Sequence, residues 1–317
     1  MTIAVQAPFN SNPAYSGTFI PTIWSGKLNV KFYATTVFGE IANTNYEGDI
    51  KNLGDKVVIN NIPSISINDY TVGQNLNYEV PAPNKVELTI EKAKYFGVNV
   101  SDVLEYQAQP KLMDMFTNDA ANQMRIAIDR DLLLNSFNDG VAANKGSGAG
   151  VKSGSFNLGT DNSPITLAAA NVLNTITSLS SVLDEQNVPE TDRWLVISPY
   201  VRNILMASPL AQAYVTGDGQ SILRNGKIGT IDRFTIYVSN QLPTAAAGKD
   251  FFGADQAGAA KRQAIMAGHK SAITFASQIA KVETLQNPND FGQLVRGLNV
   301  YGYNTIKPES LAMALVA

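Results

Sequence analysis

The chain of 317 residues contains no cysteine and a single histidine, His269. The first absence removes disulfides, thiolate zinc sites and cysteine nucleophiles together. It fits synthesis in a reducing compartment. The second leaves one place for a Ser-His-Asp triad, the segment Met266–Ala272, and no Gly-x-Ser-x-Gly elbow is present to supply the serine. A zinc site would have to be built from carboxylates and one imidazole, an uncommon donor set. Nowhere does the chain run for about 18 apolar residues, so no transmembrane helix is expected. Met1–Asn10 has neither the charged start nor the continuous apolar core of a signal peptide, and cytoplasmic synthesis is the expectation. Charge is scarce too: 16% of residues are charged and the net charge is -3, without the basic excess of a stand-alone nucleic-acid binder.

Apolar content is ample. A hydrophobic fraction of 44% supports a packed core, and the length suggests one or two globular units of about 150 residues. Residues 1–40 read as an arm, punctuated by Pro8, Pro13, Gly17, Pro21, Gly26 and Gly39. The arm nevertheless carries Phe9, Phe19, Trp24, Phe32 and Phe38, which are costly to leave in water and call for a surface to lie on. Residues 41–100 read as strands. Ile65 and Ile67 alternate with Ser64, Ser66 and Asn68; Val86, Leu88 and Ile90 alternate with Lys85, Glu87, Thr89 and Glu91. Between them lies a polar stretch with Tyr70, Gly73, Tyr78, Pro81 and Pro83, read as a long two-stranded excursion without a core of its own.

A long helix is expected from Pro110 to the stop at Asn138-Asp139-Gly140. Its apolar stripe is Leu112, Phe116, Ala120, Met124, Ile128 and Leu132. Arg125 and Asp129 lie four apart and read as a solvated ion pair. After a Gly/Ser-rich loop, Ser163-Pro164 should open a second helix burying Ile165, Ala169, Val172, Ile176, Leu179 and Leu183, closed by Asn187 and Pro189. From Trp194 the texture becomes α/β. Trp194–Ile197 and Phe234–Val238 suit buried strands, Ser198-Pro199 caps a helix, and Ile265–Ala267 and Ala272–Phe275 suit further strands. Leu298 to Tyr303 closes the pattern before Pro308.

A search for chemistry finds little. Gly146–Gly150 and Asn225–Gly229 both miss the phosphate-loop spacing. Asp129 and Asp131 are more economically helix-surface carboxylates than an acid/base pair. Tyr301 and Tyr303 could stack bases, but a strand face packed on protein is the simpler reading. No catalytic residue, metal ligand or cofactor site is assigned. An aromatic arm, an unsupported excursion and a long helix are inefficient in a monomer; they make sense if their partners are other copies of the chain. The subunit-contact candidates are therefore Phe19, Trp24, Ile65, Ile67, Tyr70 and Tyr78.

The order of these parts resembles the major capsid proteins of tailed bacteriophages, the Hong Kong ninety-seven type α+β fold, over essentially the whole chain. Pro21–Leu28 looks like the arm exit of a podophage-like branch, Gly54–Ile59 through Asn68–Gly73 like the extended loop, and Glu91–Asp102 like the return into a spine helix. Arg193–Tyr200 and Gly229–Asn240 look like axial-domain elements, and Leu298–Pro308 like the last peripheral strand. The resemblance implies an arm (1–40), an extended loop with flanking strands (41–100), a peripheral domain with the spine helix (101–163), an axial domain (164–290) and a peripheral return strand (291–317). It further implies a non-enzymatic homo-oligomer of hexamers and pentamers in a virion shell. Its expected partners are a separate scaffolding protein, a portal protein and packaged double-stranded DNA, with no membrane. An encapsulin-type compartment would keep the fold and change the contents. A hydrolase or nucleotide-binding enzyme is the other class, and it lacks motifs.

Overall fold

A computed structural model of the chain describes residue 34 and residues 36–45, 56–61, 65–75, 78–80, 84–101, 112–208, 229–287 and 292–317. Phe19, Trp24, Pro110 and the arm exit at Pro21–Leu28 lie outside the described residues, as do all of Asn225–Gly229 but its last glycine.

The body is organised around a six-stranded sheet. Its strands are β4 (Arg193–Ile197), β5 (Thr230–Ile231), β6 (Phe234–Val238), β7 (Thr244–Ala245), β8 (Arg262–His269) and β11 (Leu311–Val316). β11, β8, β4, β6 and β5 lie side by side in that order, and β7 also pairs with β8. Only β4 and β6 run parallel; they are joined through the helix Pro199–Met206, which Ser198 caps by accepting the Val201 amide at 3.3 Å. The short apolar runs seen in the sequence are explained by burial on both faces. Leu195, Ile197, Ile265, Ala312 and Ala314 point into one cluster with the helix Val172–Glu185. Trp194, Val196, Met266, Leu311 and Met313 point into a second, with the end of the long helix.

The helix Val172–Glu185 begins eight residues beyond the expected Ser163-Pro164 start. Sheet pairing recruits the intervening chain: the Ile165 amide donates to the Leu315 carbonyl (2.9 Å), and the Ala317 amide donates to Ile165 (2.9 Å). Its core face is as expected at Val172, Ile176, Leu179 and Leu183, while Ile165 and Ala169 are only half-buried. Asn187, in the left-handed region at φ 57°, ends it.

A second, three-stranded sheet is built from β3 (Lys92–Ser101), β9 (Ile273–Gln286) and β10 (Gly292–Thr305), with β10 in the middle. β9 joins this sheet, and the C-terminal β11 joins the six-stranded one. β9 carries one extra residue between the pairs Val300–Ile279 and Tyr301–Ser277. The bulge reverses the facing of β9. On the body side of the bulge Ile273 and Phe275 face the core of the body, and Ala276, by ordinary alternation, faces the opposite side.

A two-stranded unit, β1 (Lys56–Asn61) against β2 (Asn84–Thr89), packs its root on that opposite side through Ile59, Leu88, Ile90, Ala276 and Val300. The approach is close: a Cβ on Gly302 would overlap the Thr89 carbonyl. The ladder stops at Asn61–Asn84. The alternation from Ser64 to Asn68 was expected as a half-exposed strand, yet its described residues, 65–68, carry no strand pairing and are exposed throughout.

The long helix spans Leu112–Ser136, 25 residues and about 37 Å at 1.5 Å per residue. Its stripe is buried only toward the C-terminal end, at Ile128, Leu132 and Leu133, with Phe137 just beyond; Phe116 remains 43% exposed. The Arg125–Asp129 surface pair does not exist. Asp129 is fully buried, and Arg125 is exposed.

Because Ile128 is 2% exposed, Ile128→Asp buries an unpaired charge at a cost of several kcal/mol. That variant is expected to yield no soluble folded subunit, whereas Arg125→Gln should match wild type in soluble yield and melting temperature. Equal tolerance of both would contradict the burial.

Candidate assembly surfaces and the junction that orients them

The excursion beyond β1 and β2 presents Ile65 (63% exposed), Ile67 (93%), Tyr70 (64%) and Tyr78 (85%), together with Val72 and Val80. Among the described residues its two limbs are tied by the Ser66 amide donating to Glu79 Oε2 at 3.1 Å. The tip is a turn in which the Gln74 amide donates to the Thr71 carbonyl, with Gly73 at φ 92° where a side chain would be strained. Four expected contact residues are thus brought together on one extended segment without a core.

A second apolar surface was missed. On the outer face of the three-stranded sheet, Tyr95 pairs with Leu298, and Leu294 pairs with Leu285. Tyr95, Leu298 and Leu285 are exposed, around the Arg296–Glu283 ion pair (2.6 Å). Alternation along β3 was the available signal: Tyr95, Gly97 and Asn99 share a face.

Both surfaces hang from a junction between the long helix and the sheet. Asp131 on the helix accepts from Lys92 Nζ (3.0 Å), Tyr301 OH (3.0 Å) and Tyr303 OH (3.2 Å). Lys92 also donates to Tyr303 OH (2.5 Å) and lies 4.3 Å from that ring's centre. Burial alone would raise the Asp131 carboxyl, but the bonds from Lys92 and Tyr301 outweigh it and hold it below the usual range. Burial would likewise lower Lys92, and its bonds to Tyr303 and Asp131 keep it raised. Burial, with Asp131 adjacent, pushes the Tyr301 hydroxyl far up, so it remains a donor. Phe38, Phe275, Tyr301 and Tyr303 form a chain of ring contacts from the first short helix to the sheet, with centroids 5.1, 6.1 and 6.4 Å apart. Tyr301 is 1% exposed and so offers no platform for bases.

His269 is half-buried and accepts the Ser271 amide at Nδ1 (3.1 Å), with the Ser271 hydroxyl 2.8 Å away, which closes the turn between β8 and β9. Burial lowers its pKa. Gly146–Gly150 is a loop pinned by the Ala149–Phe156 bridge. Among the described residues no three His, Asp or Glu side chains gather to hold a metal, and no helix is long and apolar enough to cross a membrane.

A family model described as phage capsid protein matches residues 85–314. No curated protein sequence matches the chain. Among solved structures, the chain is similar to one from Mycobacterium phage Che8, with a TM-score of 0.73, 24% identity, and 96% of this chain and 98% of that one covered. The capsid of Cyanophage P-SCSP1u gives 0.69, 16%, 95% and 93%. The mature capsid of bacteriophage PhiM1 gives 0.66, 18%, 94% and 92%.

The junction has a pH signature. The folded-state pKa of Asp131 is depressed below its ordinary 3.8. Its stabilisation is therefore fully present above about pH 4 and lost as pH falls through the lower, folded value. Asp131→Asn is expected to lower stability by about 1 kcal/mol at pH 7, a figure discounted for partial exposure. In acid melts the wild-type advantage should disappear below pH 4. A difference that persists undiminished at pH 2 would rule out an ionic contribution.

Proposed function

The chain belongs to the phage capsid protein family and is a major capsid protein, a non-enzymatic component of a phage head shell; from that premise we propose that copies join through the extended segment 65–80. The observation that carries the proposal is a pairing of orphans. One segment exposes six apolar side chains without a core, and a second apolar face lies open around Tyr95 and Leu298. Isolated two-stranded excursions are marginal in water, so this one gains stability only where another copy covers it. Ile65, Ile67, Tyr70 and Tyr78 are the proposed contacts among the described residues, with Phe19 and Trp24 contributing from the arm.

The shell is proposed as hexamers and pentamers, in which each modest contact is repeated by symmetry. Weak net charge suits a container that touches double-stranded DNA non-specifically. A separate scaffolding protein, a portal protein and assembly in the host cytoplasm complete the proposal, and placement on the podophage-like branch rests on Pro21–Leu28. An encapsulin-type shell differs in its contents, and nuclease-protected DNA in purified particles separates the two. The proposed partition keeps an arm at 1–40, an extended loop at 41–100, a peripheral domain at 101–163 with its return strand at 291–317, and an axial domain at 164–290.

Replacing residues 66–82 by a tight Asn-Gly turn leaves β1 and β2 paired and the main core untouched. The variant is expected to fold with a near-normal melting temperature and to form no stable particles by negative-stain microscopy. Normal particles would show that the excursion does not join subunits.

A further inference from the structure

Val37 and Phe38 enter the short helix Phe38–Ile41, and both backbone amides donate to one oxygen of Asp129, Oδ1, at 3.1 and 2.9 Å. This is the joint at which the preceding chain meets the long helix. A carboxylate holding a helix entry is ordinarily at the surface, where water serves its other lone pairs. Asp129 is fully buried instead, and among the described residues its second oxygen, Oδ2, has no partner. Around it are Val37, Ile41, Ile128, Leu132 and Leu133, all apolar.

Among the described residues no cation offsets the charge. Arg125 and Arg130 on the same helix are exposed, and Asp131 is engaged by Lys92, Tyr301 and Tyr303. Glu40 of the short helix is exposed, and burial, with Glu40 nearby, raises the Tyr237 hydroxyl of β6. A buried anion with one unserved oxygen gains hydration whenever the joint opens, whereas the neutral acid has little to gain.

We propose that Asp129 makes the joint between residues 37–38 and the long helix a proton-operated hinge, closed by proton uptake and released by proton loss. The supporting electrostatics agree in sign. Burial pushes the Asp129 carboxyl from 3.8 up to about 6, against the pull of the two amide bonds. In the opened joint the carboxyl returns to its ordinary value. Between those two values the closed joint binds more protons than the open one. Closure is therefore favoured as pH falls through the window, and opening as pH rises through it. The opening constant should rise about tenfold per pH unit from about 4 to about 6, then level off. In a shell subunit, the direction in which the chain before residue 37 leaves the body then depends on pH.

The test is hydrogen exchange with mass spectrometry on the full-length protein from pH 4.5 to 7.5, corrected for intrinsic exchange. Peptides over residues 37–42 are compared with β11 in the same molecule. In wild type, protection at 37–42 relative to β11 should fall about tenfold per pH unit and plateau above about pH 6. Asp129→Asn, isosteric and uncharged, should make the profile flat. A wild-type profile parallel to that of β11 overturns the proposal, as does a slope retained in Asp129→Asn. Should that variant fail to fold, the wild-type comparison with β11 decides alone. The measurement needs no shell, so its failure is distinct from a failure of the assembly reading.

Discussion

Two carboxylates on the long helix set the geometry of the subunit. Asp129 and Asp131 are two residues apart, about 200° around the helix axis, so they face opposite ways. Asp129 takes the amides of Val37 and Phe38; Asp131 takes Lys92, Tyr301 and Tyr303. One turn of helix thereby fixes both the entering chain and the sheet carrying the excursion. Side-chain hydrogen bonds to charged groups are directional as well as attractive, so this turn sets orientation where apolar packing alone would allow sliding. The aromatic chain from Phe38 to Tyr303 runs alongside and excludes water from the joint.

The subunit buries part of its apolar surface and leaves part of it exposed. The central strand β4 and the C-terminal β11 are buried at every position, and β8 is buried at all but two of its eight. The excursion and the outer face of the three-stranded sheet instead leave Ile67, Tyr78 and Tyr95 in water. In a monomer these exposed groups gain nothing from burial, which is the ground for the proposed contacts with a second copy. The close approach at Gly302 and the small cluster at Ile59, Leu88 and Val300 matter for the same reason: they hold the root of the excursion, so its far end projects in a defined direction.

Much of the body was legible in the residues. Trp194–Ile197, Ser198-Pro199, Phe234–Val238 and the core face of the helix Val172–Glu185 appear where local pattern put them. The misreadings share a cause. Ile165 was assigned to a helix because Ser163-Pro164 is a good local start, but β11 claimed its backbone through two hydrogen bonds. Asp129 was assigned to the surface because Arg125 lies four residues away, but the chain at residues 37–38 offered two amides and a dry site. Tyr95 was overlooked because one exposed aromatic in an alternating strand means little until its cross-strand neighbours are known.

By itself the sequence determined the classes of chemistry the protein lacks and the elements from which it is built. Cysteine content, histidine count, apolar period and capping residues act within a few positions of the chain. The tertiary structure alone decided which carboxylate is buried, where β9 reverses its face, and which apolar residues remain exposed. The fate of the carboxylates depends on contacts between segments more than ninety residues apart, Asp129 with Val37 and Asp131 with Tyr301, and the bulge in β9 depends on its pairing with β10. Desolvation and hydrogen-bond satisfaction there are properties of the assembled core, which no local pattern encodes.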